Sequence, residues 1–265
     1  MVGVAPTVTV VTPALNAARV LGRCVRSVQA QDMRDWEMVI VNDGSSDATR
    51  DIVEALAADE PRIRAIHLPV RAGAAAARNA ALDVARGRYI AFLDADDAWM
   101  PHKLSTQITA MQRSRIPFVF AAYLMGNEAE GWRTIEVPET VTRARLRRGN
   151  VIGCLTVMYD RDHFADLRFP LLRKRQDFAM WLCALGRIPQ GLGLCEPLAF
   201  YYREQGVQTL STGVLSNARA TYRVLHQQEG LSSLRAAGCL VSHLTGRFRA
   251  QRGKKETWPA PVEGR

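Results

Sequence analysis

Four strand-length apolar runs alternate with helical segments through the first hundred residues, and this alternation constrains the fold more than any other feature. The runs are TVTVVT (7–12), WEMVIVND (36–43), IRAIHL (63–68) and RYIAFLD (88–94). Between them lie AARVLGRCVRSVQAQ (17–31), SDATRDIVEALAAD (46–59) and AGAAAARNAALDVARG (72–87), with apolar residues at helical spacing. The second of these opens on a Ser/Asp cap, and the third closes at Gly87. Strands alternating with helices predict βαβ units. The expected fold class is α/β: a Rossmann-like, mostly parallel sheet with helices on both faces, plus a C-terminal helical tail. A chain of 265 residues is long enough for one full core with an appended segment. We expect a main domain over 1–205, with a first half near 1–100 and a second half near 101–205, and a basic helical extension over 206–265.

In such sheets, ligands bind outside the carboxyl ends of the strands. That rule selects Thr12, Pro13 and Asn16 after the first strand, Asn42-Asp43-Gly44-Ser45 after the second, and Asp94-Ala95-Asp96-Asp97 after the fourth. All three polar clusters are expected on one edge. Acidic turn residues such as Asp43 and Asp47 also serve as plain caps. Three carboxylates within four positions exceed what one cap needs. No GxGxxG follows the first strand, so no glycine-rich helix start is present to cradle a pyrophosphate. Oxygen-only ligands at a turn suit Mg²⁺ or Mn²⁺ held by one or two carboxylates plus substrate phosphates. The acidic turn is therefore read as a divalent-metal site shared with a nucleotide diphosphate.

Together, VTVVTPALNAARVLGRCVRSVQAQ, EMVIVNDGSSDAT, AGAAAARNAALDVARGRYIAFLDADDAWMPHKL and RQDFAMWL resemble a family 2 glycosyltransferase of GT-A fold, in order over roughly residues 7–205. The resemblance implies an inverting transferase, a nucleotide-sugar donor and a divalent metal (Mn²⁺ or Mg²⁺). It makes 1–205 a catalytic domain, with 1–100 the donor half and 101–205 the acceptor half. Many relatives build bacterial lipopolysaccharide or exopolysaccharide. Carried onto this chain, it puts Pro13 and Asn16 near the nucleotide and makes Asp43 the reader of the base, for instance a uracil N–H. Gly73, Arg78 and Asn79 fall close to the donor. Arg71 stands where an asparagine is common, and is read either as a phosphate contact or as a solvated side chain. Asp96 is the expected metal ligand. Asp94 is a ribose, metal or outer contact, and Asp97 is a helix cap or a further metal contact. Relatives carry Glu-Asp ahead of an amphipathic helix. Here the pair is Gln176-Asp177, which retains Asp177 as candidate general base, a role otherwise open to a helix-start acid.

Residues 1–142 carry 15 basic and 17 acidic side chains, and residues 143–265 carry 20 and 9. The basic second half points to an anionic partner or to simple solvation. RARLRRG (143–149) and RKR (173–175) place arginines on the acceptor half, and FYYRE (200–204) resembles a strand that follows the base in relatives. No zinc finger, RNP motif or helix-turn-helix is recognisable, which argues against a nucleic-acid partner. QxxRW and membrane spans, expected of processive polymerases, are missing, so single-sugar addition is expected. Five scattered cysteines without CxxC spacing fit a reducing compartment. The N-terminus reads as a first strand and not as a secretory leader. The expected location is cytoplasmic or peripheral on the inner membrane face.

The expected partners are a nucleotide-sugar donor and a glycan acceptor carried on a lipid. A soluble or protein acceptor, or a non-catalytic sugar-nucleotide-binding module, is the alternative. In the tail, Leu231, Leu234, Gly238, Val241, Leu244 and Phe248 recur at spacings of three and four, flanked by Arg235, Arg247, Arg249, Arg252, Lys254 and Lys255. This stripe is read either as a membrane-surface contact or as a face packed on the domain or on a second subunit.

Overall fold

The computed structural model describes residues 5–203, 213–250 and 255–256. Of the sequence features above, Glu204, Arg252 and Lys254 lie outside the described residues. The side chains of Arg247, Phe248, Arg249 and Lys255 do so too. The elements in chain order begin with β1 (Val8–Ala14), α1 (Leu21–Gln29), β2 (Trp36–Asn42), α2 (Thr49–Asp59), β3 (Ile63–His67), α3 (Ala74–Val84) and β4 (Tyr89–Phe92). They continue with β5 (Ala98–Trp99), α4 (Lys103–Ser114), β6 (Phe118–Asn127), β7 (Gly131–Ile135), β8 (Thr140–Val141) and α5 (Arg143–Leu146). Then come β9 (Met158–Asp160), α6 (Gln176–Ala184), β10 (Gly191–Tyr202), α7 (Val214–Arg223), α8 (Ser233–Ala250) and β11 (Lys255–Glu256).

β3-β2-β1-β4 form a parallel block, in register from Val8 beside Trp36 to Ala14 beside Asn42. The rest of the sheet is mixed: β9 runs antiparallel to β4 and β6, while β10 runs parallel to β6. Strand alternation fills both faces. Val39 and Val41 enter one core with Val11, while Met38 and Ile40 enter the other with Val8 and Val10. The period of two that marks a strand thus builds two cores, one on each face. α3 is rich in alanine, which lets it lie close on β1 and β2. It ends at Val84 and not at Gly87. Gly87 serves a close approach: a Cβ there would sit 2.4 Å from the Thr9 nitrogen and 2.5 Å from the Val8 carbonyl carbon.

The C-terminal helices pack on the sheet's first core. Val224, Leu225 and Ala236 are buried with Phe178 and Trp181 of α6. Glu229 clamps them down, accepting from Arg143 at 2.8 and 2.9 Å and from Arg147 at 2.6 Å. For Arg143 and Arg147 this replaces the expected acceptor contact, while Arg145 and Arg148 stay exposed. The first two lock the tail to the domain, because a nearly buried carboxylate needs paired cations. Among the described residues, no helix is long and apolar enough to cross a membrane.

Candidate active site

In-register parallel strands bring the ends of β1, β2 and β4 to one edge, where three loops lace together. The Asp43 N–H donates to the Ala14 carbonyl at 2.8 Å. Asn16 adopts a left-handed backbone (φ 50°), which asparagine tolerates better than most residues. Its N–H donates to Ser45 Oγ and its Oδ1 accepts from the Ser46 N–H, both at 2.9 Å. Asp43 is buried, and its two oxygens accept from the N–H groups of Ala72 (2.6 Å) and Gly73 (2.8 Å). The carboxylate thus fastens the loop before α3, with lone pairs to spare for a ligand N–H. Gly44 permits this closeness: it has φ 65°, and a Cβ would lie 2.6 Å from the Arg71 nitrogen. Pro13 is half-buried and Arg71 is exposed. Thr12 is buried, and its hydroxyl has no hydrogen-bond partner in the protein.

After β4, the Asp97 N–H donates to the Asp94 carbonyl at 3.0 Å, closing the acidic turn. Asp94 is ion-paired with the buried Arg78, whose guanidinium lies 5.2 Å from the Phe169 ring centre. Burial disfavours the Arg78 charge, but Asp94, and further off Cys154 and Asp177, outweigh it and raise its pKa. Asp96 is exposed, and its main-chain carbonyl accepts from Arg23 Nη2 at 2.8 Å.

Asp97 is not a helix cap. The following helix, α4, starts six residues later, after His102. Asp97 is buried, and its Oδ1 accepts from the Tyr202 N–H at 3.0 Å, which ties β10 to the acidic turn. Its Oδ2 is buried without a partner, and burial, then Asp96 and Asp94, push its pKa well up. Asp97→Asn is therefore expected to fold normally, since an amide oxygen can accept the same bond. Asp97→Ala leaves the Tyr202 N–H orphaned and is expected to lower unfolding free energy by about 1–3 kcal/mol in urea titration. Equal stability of the two variants would contradict this role.

The acceptor half supplies the third acid. A left-handed Arg175 (φ 64°) starts α6, which puts Asp177 in its first turn, where the helix dipole favours an anion. The rest of α6 is apolar and buried, so the helix start is rigidly held. Asp177 is half-buried, and its charge is felt by Arg78, Cys154 and Tyr123. Asn79, expected beside the donor, commits its carboxamide to the main chain of Phe169, donating at 2.9 Å and accepting at 2.8 Å. It thereby holds the segment that leads into α6.

The site thus gathers Asp94, Arg78 and Asp177, with Asp96 at the rim. Arg23 and Tyr202 complete the support: the guanidinium lies 3.4 Å from the Tyr202 ring centre. Sequence reading missed Arg23, because its partners are 73 or more residues away along the chain. Among the described residues, no cluster of three His, Cys, Asp or Glu side chains could hold a metal by itself. Two hard carboxylates at a turn, Asp94 and Asp96, are nevertheless the donor set that suits Mg²⁺ or Mn²⁺ completed by substrate phosphates.

A parallel block ending in an acidic turn, with an antiparallel extension carrying a further acid, is the GT-A architecture. S. aureus TarS (residues 1–349, in complex with UDP-GlcNAc) shares it with a TM-score of 0.71 at 20% identity, over 92% of this chain and 73% of that one. The chain belongs to glycosyl transferase family 2, whose description matches residues 9–175. That match ends two residues short of Asp177. The chain is 38% identical to the putative teichuronic acid biosynthesis glycosyltransferase TuaG of Bacillus subtilis, over 90% of this chain and 94% of that one. It is 36% identical to WfgD of Escherichia coli, over 67% of this chain and 69% of that one. WfgD is named as a UDP-Glc:α-D-GlcNAc-diphosphoundecaprenol β-1,3-glucosyltransferase.

Proposed function

We propose that the chain is an inverting, metal-dependent glycosyltransferase. It moves one sugar from a UDP-sugar to a lipid-linked glycan acceptor during synthesis of a bacterial cell-surface polysaccharide. The observation that carries this reading is the acidic turn at the carboxyl edge, with Asp94 paired to the buried Arg78 and Asp177 near enough for Arg78 to feel its charge. A carboxylate turn on the donor side and a candidate base on the facing half are what a single displacement at an anomeric carbon uses.

In that displacement the acceptor oxygen bonds to the anomeric carbon as the bond to the diphosphate oxygen breaks. Asp177 takes the acceptor's proton, and the nucleoside diphosphate leaves with the electron pair. Arg78 holds Asp94 in orientation through their ion pair. Thr12, Pro13, Asn16 and Asp43 frame the nucleotide, with Asp43 accepting from a ring N–H. Arg71, exposed at the same edge, is available to a phosphate. Asp96 with Asp94 would hold Mn²⁺ or Mg²⁺, which would supply charge neutralisation at the leaving diphosphate. The acceptor class is supported by the diphosphoundecaprenol in the name of WfgD, and the polymer class by the teichuronic acid in that of TuaG.

A thermal-shift panel of UDP-, GDP- and dTDP-sugars with Mn²⁺ tests the donor. A UDP-sugar at 100 times its dissociation constant is expected to stabilise the fold by roughly 2.7 kcal/mol, and EDTA is expected to remove the effect. Stronger stabilisation by a GDP- or dTDP-sugar would overturn the choice of UDP, and no stabilisation by any of them would overturn the function.

A further inference from the structure

The apolar stripe read from the tail sequence divides: Leu231 packs against the first core, while Leu234 and Val241 face away from it. α8 turns Ala236, Cys239 and His243 inward. His243 lies 5.2 Å from the Phe178 ring centre, and its Nε2 is 3.2 Å from the Arg147 carbonyl oxygen. That leaves Leu234 (87%) and Val241 (60%) in solvent, on the opposite side of the helix. α7 exposes Val214 (66%) and Leu215 (87%). Leu171 is 77% exposed in the loop before α6, and that loop is tied to α7 by Lys174 Nζ donating to Ser216 Oγ at 2.9 Å. Among the described residues, six large apolar side chains are this exposed, and five of them sit on these two helices and the adjoining loop. Scattered singly they would mean little, but gathered on one element pair they call for a partner.

We propose that the outer faces of α7 and α8 are a lipid-contacting surface that seats the protein on an anionic bilayer. Charge selects this occupant. Arg235 is exposed on α8, whose 18 residues include no acid. α7 adds Arg219 and Arg223, both exposed, and Arg173 is exposed beside Leu171. The acid nearest in sequence, Glu229, is taken up by Arg143 and Arg147. A two-fold contact with a second copy would set this cationic face against itself, whereas anionic headgroups complement it. Leucine, valine and arginine on a helix too polar to span are the pattern of an interfacial helix.

The placement gives the surface a use, which rests on the lipid-linked acceptor proposed above. The inner side of α8 packs on Phe178, the neighbour of Asp177, and Lys174, which binds α7, lies three residues before it. The lipid face is therefore about one helix diameter, roughly 10 Å, from the helix that carries the candidate base. A headgroup-borne sugar would reach the site without leaving the membrane.

The test is flotation of the full chain with vesicles of equal parts phosphatidylcholine and phosphatidylglycerol, and with phosphatidylcholine alone. The protein is expected to float with the anionic vesicles, less so in high salt, and poorly with the neutral ones. Leu234→Ser/Val241→Ser, and separately Leu215→Ser, alter side chains that hold up no core. Each is expected to reduce partitioning, the double variant by roughly ten-fold or more. Calorimetric binding of the UDP-sugar in lipid-free solution should be unchanged. Three results would overturn the proposal: no flotation, flotation indifferent to both variants or to lipid charge, or a lipid-free dimer that the double variant dissociates. The last would assign the face to a second copy. Failure of UDP-sugar binding by the intact chain would count against the catalytic reading alone, since flotation does not depend on it.

Discussion

Asp177→Asn should cut turnover by roughly 10²-fold or more while leaving donor affinity nearly intact. The amide keeps the shape of the side chain and its place in the first turn of α6. What it loses is the ability to take a proton from the acceptor hydroxyl. A base acts in the transition state and not in donor recognition, so the loss belongs in kcat and not in donor binding. The structure sharpens the comparison, because the negative charge felt by Arg78 comes first from Asp94 and only then from Asp177. Removing the Asp177 charge thus leaves the Arg78–Asp94 pair in place. Steady-state kinetics alongside donor calorimetry separates the two effects. Transfer near the wild-type rate would reduce Asp177 to a helix-start acid.

Asp96→Ala should abolish the metal-dependent part of donor affinity without unfolding the protein. Asp96 is exposed, and its contact with Arg23 is made by the main-chain carbonyl, which alanine retains. An exposed substitution of this kind usually shifts stability by no more than about 0.5 kcal/mol. Asp94→Ala is a different experiment, because it strips the partner from a buried guanidinium. Leaving a buried charge uncompensated costs about 3–5 kcal/mol, so that variant should lose stability as well as affinity. Calorimetry of a UDP-sugar with and without Mn²⁺, paired with thermal unfolding, distinguishes them. Undiminished metal-dependent affinity in Asp96→Ala would sink its assignment as a ligand.

Features set by local chemistry were legible in the sequence. The period of two in β1 and β2 and the turn residues after each strand placed Thr12, Asn16, Asp43 and Asp94 on one edge before any coordinates. Features set by long-range pairing were not. Asp97 looked like a cap because capping is a local habit, yet its partner is Tyr202, 105 residues away. Arg143 and Arg147 looked solvated or acceptor-facing until Glu229 met them 86 and 82 residues later. Asn79 matched a donor motif, but its carboxamide is bound to Phe169, 90 residues on. The mixed extension through β6, β9 and β10 was read only at FYYRE, the end of β10, since short or irregular strands leave a weak periodic trace. In the tail, periodicity found the apolar stripe but could not say which side of α8 the domain would cover. The domain takes up Ala236, Cys239 and His243, the last edge-on to Phe178, and leaves Leu234 and Val241 outside.

The proposed reaction is a single displacement at the anomeric carbon, with donor and metal on the carboxyl edge and Asp177 facing them. Proton NMR of the product formed from an α-linked UDP-sugar and a lipid-diphosphate-linked sugar acceptor reads this directly. A new β-glycosidic linkage is expected that forms with Mn²⁺ or Mg²⁺, stops with EDTA, and falls away in Asp177→Asn. An α-linked product, or transfer that proceeds unchanged in EDTA, would contradict it.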